Sequence, residues 1–104
     1  MIIITGAIVA KPESFERLRT LSLEHVHRSR TEDGCQLHSV HVDVENPLRL
    51  VFVEHWRDAA AIRKHFADPG ARGFVAQASQ LAASAPEIAI FDASRIDPGT
   101  LSKA

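Results

Sequence analysis

The chain has no tyrosine, a single tryptophan and a single cysteine among its 104 residues. No tyrosyl hydroxyl can take part in its chemistry, and Cys35 has no intramolecular disulfide partner. Cys35 follows the turn glycine Gly34 on the mixed face of a strand, where a small buried hydrophobe is the ordinary role of a thiol. Neither charge sign dominates: twelve basic residues stand against thirteen acidic ones, for a formal charge of −1. Without a basic stripe to neutralise a phosphate backbone, nucleic acid is not an expected partner. The apolar run from Ile2 to Ala10 has neither the charged leader of a signal peptide nor the length of a membrane span, so the expectation is a cytoplasmic protein with no membrane partner. There is no room for a second domain. No internal repeat occurs, nor any HExxH, CxxC, GxSxG, phosphate-loop or dinucleotide pattern.

What is present is a readable order of elements. Ile2 to Ala10 (IIITGAIVA) is apolar on both parities except at Thr5 and Gly6, which suits a central strand covered on both sides. Pro12 and Glu13 open a helix whose core side is Phe15, Leu18, Leu21 and Val26, up to about Ser29. Thr31-Glu32-Asp33-Gly34 turns the chain into a hairpin. Asp58 caps a second helix with Ala61, Ile62, His65 and Phe66 toward the core, and Asp68-Pro69-Gly70 breaks it. A third helix follows from Ala71 to about Ala83, with Phe74, Val75, Ala78 and Leu81 as its stripe, and Glu87 to Ser94 reads as a last strand. The order β-α-β-β-α-α-β specifies an α+β fold: a ferredoxin-like split βαβ arrangement with a four-stranded antiparallel sheet and its helices on one face. Residues 1–96 form the domain, and 97–104 are a loose tail or a short arm onto a partner. Helices cover one face only, so Leu37, Val51, Val53 and either Ala89 and Phe91 or Ile88 and Ile90 remain to be buried. A homodimer packed sheet to sheet is the expected answer.

The hairpin Gly34 to Trp56 carries the chemistry. With the turn at Glu45-Asn46-Pro47, period-two pairing sets Val44 against Leu48, Val42 against Leu50, Val40 against Phe52, His38 against Glu54 and Gln36 against Trp56. The other face pairs Asp43 with Arg49, His41 with Val51, Ser39 with Val53 and Leu37 with His55. A slip of one residue scatters the apolar set, which favours this register.

Cross-strand neighbours such as His38 and Glu54 are close enough to hydrogen-bond, and a carboxylate on one imidazole nitrogen leaves the other free as a general base. Trp56 offers a flat wall for an aromatic ligand, Gln36 a donor and an acceptor, and Phe52 and Phe66 apolar lining. His25, seven residues after Leu18, and His65, four after Ala61, could line the same cavity, although each taken alone is more often a core-edge histidine. The bland alternative is that His38 and Glu54 satisfy each other while Trp56 fills the core. A metal site is not expected from local spacing. His25 and His27 lie about 200° apart on a helix, and His38 and His41 point to opposite faces of a strand.

Gly34-Cys35 entering the second strand, Asp43 and Asn46-Pro47 at the hairpin, Glu54-His55-Trp56 closing the third strand, then Ala60 or Ala61, His65-Phe66, Asp68-Pro69 and Phe74 resemble the antibiotic biosynthesis monooxygenase domains of the dimeric α+β barrel group. The resemblance covers nearly the whole chain. It implies oxygenation of a quinol or polyphenolic aromatic by O₂ with no cofactor and no metal, the substrate itself being the reductant. His38 is then the base, Glu54 its orienter, Trp56 the aromatic wall, and Gln36 or His65 donors to the developing oxyanion. The chain departs from the family pattern in having His38 where relatives often carry Tyr, and Gly70 where a histidine often follows the proline. The haem-degrading branch of the family places an Asn on the first strand where this chain offers Thr5 or Gly6, which sets haem degradation behind. The competing reading from another class is a dimeric module that binds a small aromatic without chemistry.

Overall fold

A computed structural model describes residues 1–102. Strand β1 (Ile2–Val9) leads through a single 3-10 turn (Pro12–Ser14) into helix α1 (Phe15–Ser29). The hairpin β2 (Cys35–Asp43) and β3 (Asn46–Trp56) is followed by α2 (Ala59–Ala67), α3 (Pro69–Leu81), β4 (Glu87–Asp92) and a short exposed helix α4 (Pro98–Ser102). The sheet order is β2-β3-β1-β4, antiparallel throughout, the ferredoxin-like α+β arrangement. The expected tail thus contains one helical turn; Lys103 and Ala104 lie outside the described residues.

Period-two alternation sorts the sheet into two faces. Ile4, Ile8, Leu50, Phe52 and Trp56 point under the helices and are buried, while Thr5, Val51, Val53 and His55 point the other way. The main core packs Ile8, Leu18, Leu21, Val26, Leu50, Phe52, Phe74 and Ala78 together. A smaller cluster sets Ile4 and Trp56 against Ala61 and Ile62 of α2. Helix ends are fixed by acidic caps: Asp58 Oδ1 accepts from the Ala61 amide at 2.9 Å, and Asp68 Oδ2 from the Ala71 amide at 3.1 Å. Because Asp68 caps it, α3 starts at Pro69 rather than Ala71. Pro69 then sits in the first turn, where its missing N–H costs nothing.

The register holds at its middle rungs, with Val42 opposite Leu50, Val40 opposite Phe52 and His38 opposite Glu54, and fails at both ends. At one end Cys35, not Gln36, faces Trp56, because the strand bulges at Gln36 and turns that side chain to solvent. At the other, Asp43 pairs with Asn46 around a tighter turn, so Val44 and Leu48 are not partners; the Asp43 carboxylate still reaches Arg49, at 3.0 Å. Two helical residues also differ from expectation. Val75 is 59% exposed and Phe66 46%, because the helical layer stops short of β4. For the same reason Ile88 and Ile90, on the helix side of β4, stay 65% and 51% exposed. Ala89 and Phe91 are therefore the β4 residues of the open face, opposite Thr5 and Ile3.

Gly34 is the one glycine with a left-handed backbone, at φ 87°. A Cβ there would stand 2.5 Å from that of Ala61, so both its conformation and its contact with α2 require glycine. It closes the loop that carries Glu32.

Candidate functional site

A cavity of about 560 Å³ opens between the helix side of β1 and β3 and the helices α2 and α3. Ile4, Gly6, Ile8, Phe52, Phe66, Phe74, Val75 and Ile88 give it apolar walls. At its inner end stand three polar groups, His25 from α1, His65 from α2 and Glu54 from β3, and near its mouth Arg72 and Glu87. Such a volume, mostly greasy with a few convergent polar atoms, suits a small organic ligand.

The two histidines in this wall have their tautomers fixed from behind. Arg28, one turn along α1, sets Nη2 2.6 Å from Nδ1 of His25. A guanidinium can only donate, so that Nδ1 accepts and the proton of the neutral ring sits on Nε2. Burial, with the neighbouring His38, His65 and Arg28 charges, pushes the His25 pKa down to about 3, so this ring is neutral at physiological pH. Its plane is held by stacking on Phe74 at 4.2 Å. His65 is arranged in the opposite sense. Its Nδ1 lies 3.0 and 3.1 Å from the two oxygens of Glu32; the carboxylate accepts, Nδ1 donates, and Nε2 is left with a lone pair. Both Nε2 atoms lack a hydrogen-bond partner among the described residues, and neither is sealed from the cavity.

His38 and Trp56 lie one layer deeper. The indole is fully buried against Ile4, Ala61 and Ile62, and its N–H donates to Oε1 of Glu54 at 2.9 Å. That same oxygen is 3.3 Å from Nε2 of His38, off the line a hydrogen bond needs, so neither His38 nitrogen has a directed partner. Burial pushes the Glu54 carboxyl up, but His38, the indole N–H and His65 more than offset it, and its pKa is net lowered. Sequence spacing correctly sets His38 beside Glu54, and it leaves His25 and His65 undecided between the core edge and the cavity, whose wall both line. It does not place the others: His38 and Trp56 stand behind the wall, Gln36 lies on the far edge beside Arg30 and Leu37, and Phe66 is at the mouth. Trp56 filling the core is close to the bland alternative. What the spacing missed is Glu32, an acid in a turn thirty-three residues from its histidine. Local spacing also missed the convergence of His25, His38 and His65, each from a different element, with one ring nitrogen from each within 4.8 Å of the others.

An antiparallel split βαβ sheet with helices on one face and a mostly apolar cavity between the layers defines a small ferredoxin-like α+β domain. The family model for antibiotic biosynthesis monooxygenases matches residues 1–77, and the chain belongs to that family. It is 33% identical over 81 residues to a protein of Bacillus subtilis named "Putative monooxygenase YcnE", covering 78% of this chain and 85% of that one. It is 34% identical over 90 residues to an uncharacterized protein of Synechocystis sp., covering 86% of this chain but only 61% of that longer protein. A Deinococcus radiodurans protein described as a "putative antibiotic biosynthesis monooxygenase" superposes with a TM-score of 0.88 at 29% identity, over 93% of this chain and 96% of that one. A Mycobacterium tuberculosis protein shares the fold at 20% identity, with a TM-score of 0.85 over 91% of this chain and 96% of that one. Among the described residues no helix is long and apolar enough to cross a membrane.

Proposed function

We propose that the chain is a monooxygenase that uses O₂ to oxidise a small hydroxylated aromatic, a quinol or polyphenol, bound in the cavity with its hydroxyl between His25 and His65. The observation that supports this most is the complementarity of the two rings. His25 presents an N–H and His65 a lone pair to the same space, which is what one hydroxyl group needs as acceptor and donor. The apolar walls take the ring.

In this reading His65, held by Glu32, takes the hydroxyl proton, and the imidazolium that forms is stabilised by the carboxylate behind it. The His25 N–H holds the resulting oxyanion. The electron-rich anion passes one electron to O₂; superoxide and the aryloxyl radical then recombine at a ring carbon, the resulting peroxide anion takes back the proton held on His65, and the hydroperoxide collapses to a quinone with loss of water. The substrate supplies the electrons. The protein supplies a base, an N–H and a space from which water is excluded. The base thus becomes His65 with Glu32, in place of His38 with Glu54, because the His65 ring lines the cavity and the His38 ring does not. Trp56 supports the site from beneath, 4.5 Å from the His65 ring.

Oxygen uptake by purified protein with a panel of hydroquinones and anthrone-like phenols tests the reading. Turnover that collapses in His65→Ala and falls in His25→Phe is expected; turnover equal to wild type in both would overturn the assignment. Aromatic binding read by Trp56 quenching, with no oxygen uptake for any compound, would favour the non-catalytic binding module. We also propose that the open face, with Leu37, Val51, Val53 and Phe91, joins two copies sheet to sheet. Phe91→Asp is expected to halve the mass measured by light scattering.

A further inference from the structure

The oxygenation chemistry leaves His38 without a task. Its side chain is wholly buried, and neither of its ring nitrogens has a directed hydrogen-bond partner. Leaving buried polar atoms unpaired is costly, and folded proteins rarely do it without a reason. Its ring centroid lies 5.3 Å from that of His25 and 5.9 Å from that of His65. One nitrogen from each of the three falls within 4.8 Å of the other two.

We propose that His25, His38 and His65 together form a site for a divalent first-row transition metal ion of the kind that favours imidazole, such as Zn²⁺ or Cu²⁺. Three neutral imidazoles with one open position facing a cavity are a suitable donor set for such an ion. Metal–nitrogen bonds of about 2.0–2.1 Å put tetrahedral ligands roughly 3.3 Å apart, so the rings close inward on binding. His65 is already set up for this: a metal-bound histidine commonly gives its other N–H to a carboxylate, and Glu32 holds that position. His38 has no competing bond to break. His25 has one, from Arg28. The Arg28 Nε is itself buried without a hydrogen-bond partner and stands 3.8 Å from Asp68 Oδ2. Closing that gap moves the guanidinium off His25 Nδ1, which then carries the proton and leaves Nε2 for the ion. Glu54, beside His38, and Glu32, behind His65, put two carboxylates around the added charge.

The same lone pair on His65 cannot hold an ion and accept a substrate proton, so a loaded site and the proposed oxygenation exclude each other. That consequence rests on the oxygenase reading, whereas metal binding is read without turnover and stands or falls separately. The test titrates the chelator-stripped full chain with Co²⁺, following the intense visible bands of a low-coordinate ion, and then displaces Co²⁺ with Zn²⁺. One ion per chain is expected. The affinity should fall in His38→Ala by more than the roughly 10–100-fold that loss of an outer-shell partner costs. Zn²⁺ should raise the Tm of wild type but not of that variant. The variant in which the outlying His27, His41 and His55 are all replaced by Ala should bind like wild type. Should His38→Ala fail to fold by circular dichroism, His65→Gln is read in its place. Absence of saturable binding, unchanged affinity in the folded variant, or loss of binding in the triple variant would mark an adventitious ion only and overturn the proposal.

Discussion

Two histidine–carboxylate pairs sit a few ångströms apart in this molecule, and they are not equivalent. His65 and Glu32 meet at 3.0 Å along a true hydrogen bond, one partner on a helix and the other in a turn, with the free nitrogen facing open space. His38 and Glu54 meet at 3.3 Å off-axis, both on the sheet, and the carboxylate oxygen between them is already taken by the Trp56 indole. A carboxylate can orient an imidazole for proton transfer only if its lone pairs are directed at that ring and the ring's other nitrogen reaches substrate. In the first pair the carboxylate is directed at the ring and the ring lines the cavity. In the second the carboxylate instead holds the Trp56 indole beneath α2, and His38 is left without a directed partner.

The sharpest way to break the comparison is to remove each base in turn. His65→Ala is expected to lower kcat for oxygen uptake by about 10²–10⁴, the range for a lost general base, and Glu32→Gln by about 10–100-fold, as for other partners that orient a reacting group. If neither variant moves kcat, the distinction between the pairs fails. The sheet pair should show its role in stability. Trp56→Ala is expected to cost about 3–5 kcal/mol, as for other large core aromatics, measured by urea unfolding. Trp56→Phe, which keeps the ring but leaves the Glu54 oxygen without its donor, should cost about 1–3 kcal/mol.

Acid titration separates the pairs in another way. Burial and neighbouring charge lower the His25 pKa from 6.5 to about 3. Below pH 6.5 the unfolded chain takes up a proton there that the folded chain refuses, so stability falls as pH drops, by up to about 1.4 kcal/mol per pH unit, until the folded pKa is reached. In metal-free protein His25→Phe is expected to flatten this slope between pH 6.5 and about 3. Glu54, whose folded pKa is net lowered, adds a stabilising contribution that is present at neutral pH and lost as the carboxyl protonates in acid. The smallest effect is expected at the loop behind the better pair. Gly34→Ala forces a left-handed backbone on alanine at about 1–2 kcal/mol and shifts the loop carrying Glu32, so thermal unfolding and the KM and kcat of oxygen uptake should both respond.

The order of elements, the sheet's two faces and the rung that pairs His38 with Glu54 were all legible in the sequence, because alternation and helical spacing are local signals that burial enforces. The ends of the hairpin were not. A bulge at Gln36 and a tight turn at Val44-Glu45 change the residue count on one strand without changing the apolar pattern, so Gln36 was set opposite Trp56 when Cys35 takes that place. Val75 reads as core by its spacing, but the helical layer ends before β4 and leaves it exposed. His25 and His65 could be set on the inward side of their own helices, without a choice between core edge and cavity. Their partners could not all be assigned in the same way: Glu32 belongs to a turn with no periodicity to mark its direction, and which carboxylate serves which ring is decided only when the turn at Gly34 packs on Ala61 of α2.

One corner of the chain constrains how this protein can change over time. Asp68 ends α2, with its amide bonded to the His65 carbonyl at 3.2 Å, and begins α3 through its side chain; no spare residue separates the helices. Adding or deleting one residue between Asp58 and His65 would swing the imidazole by about 100° around the helix axis, away from Glu32 and out of the hollow. Side chains lining the hollow are free to drift toward other substrates, but this stretch must keep its length.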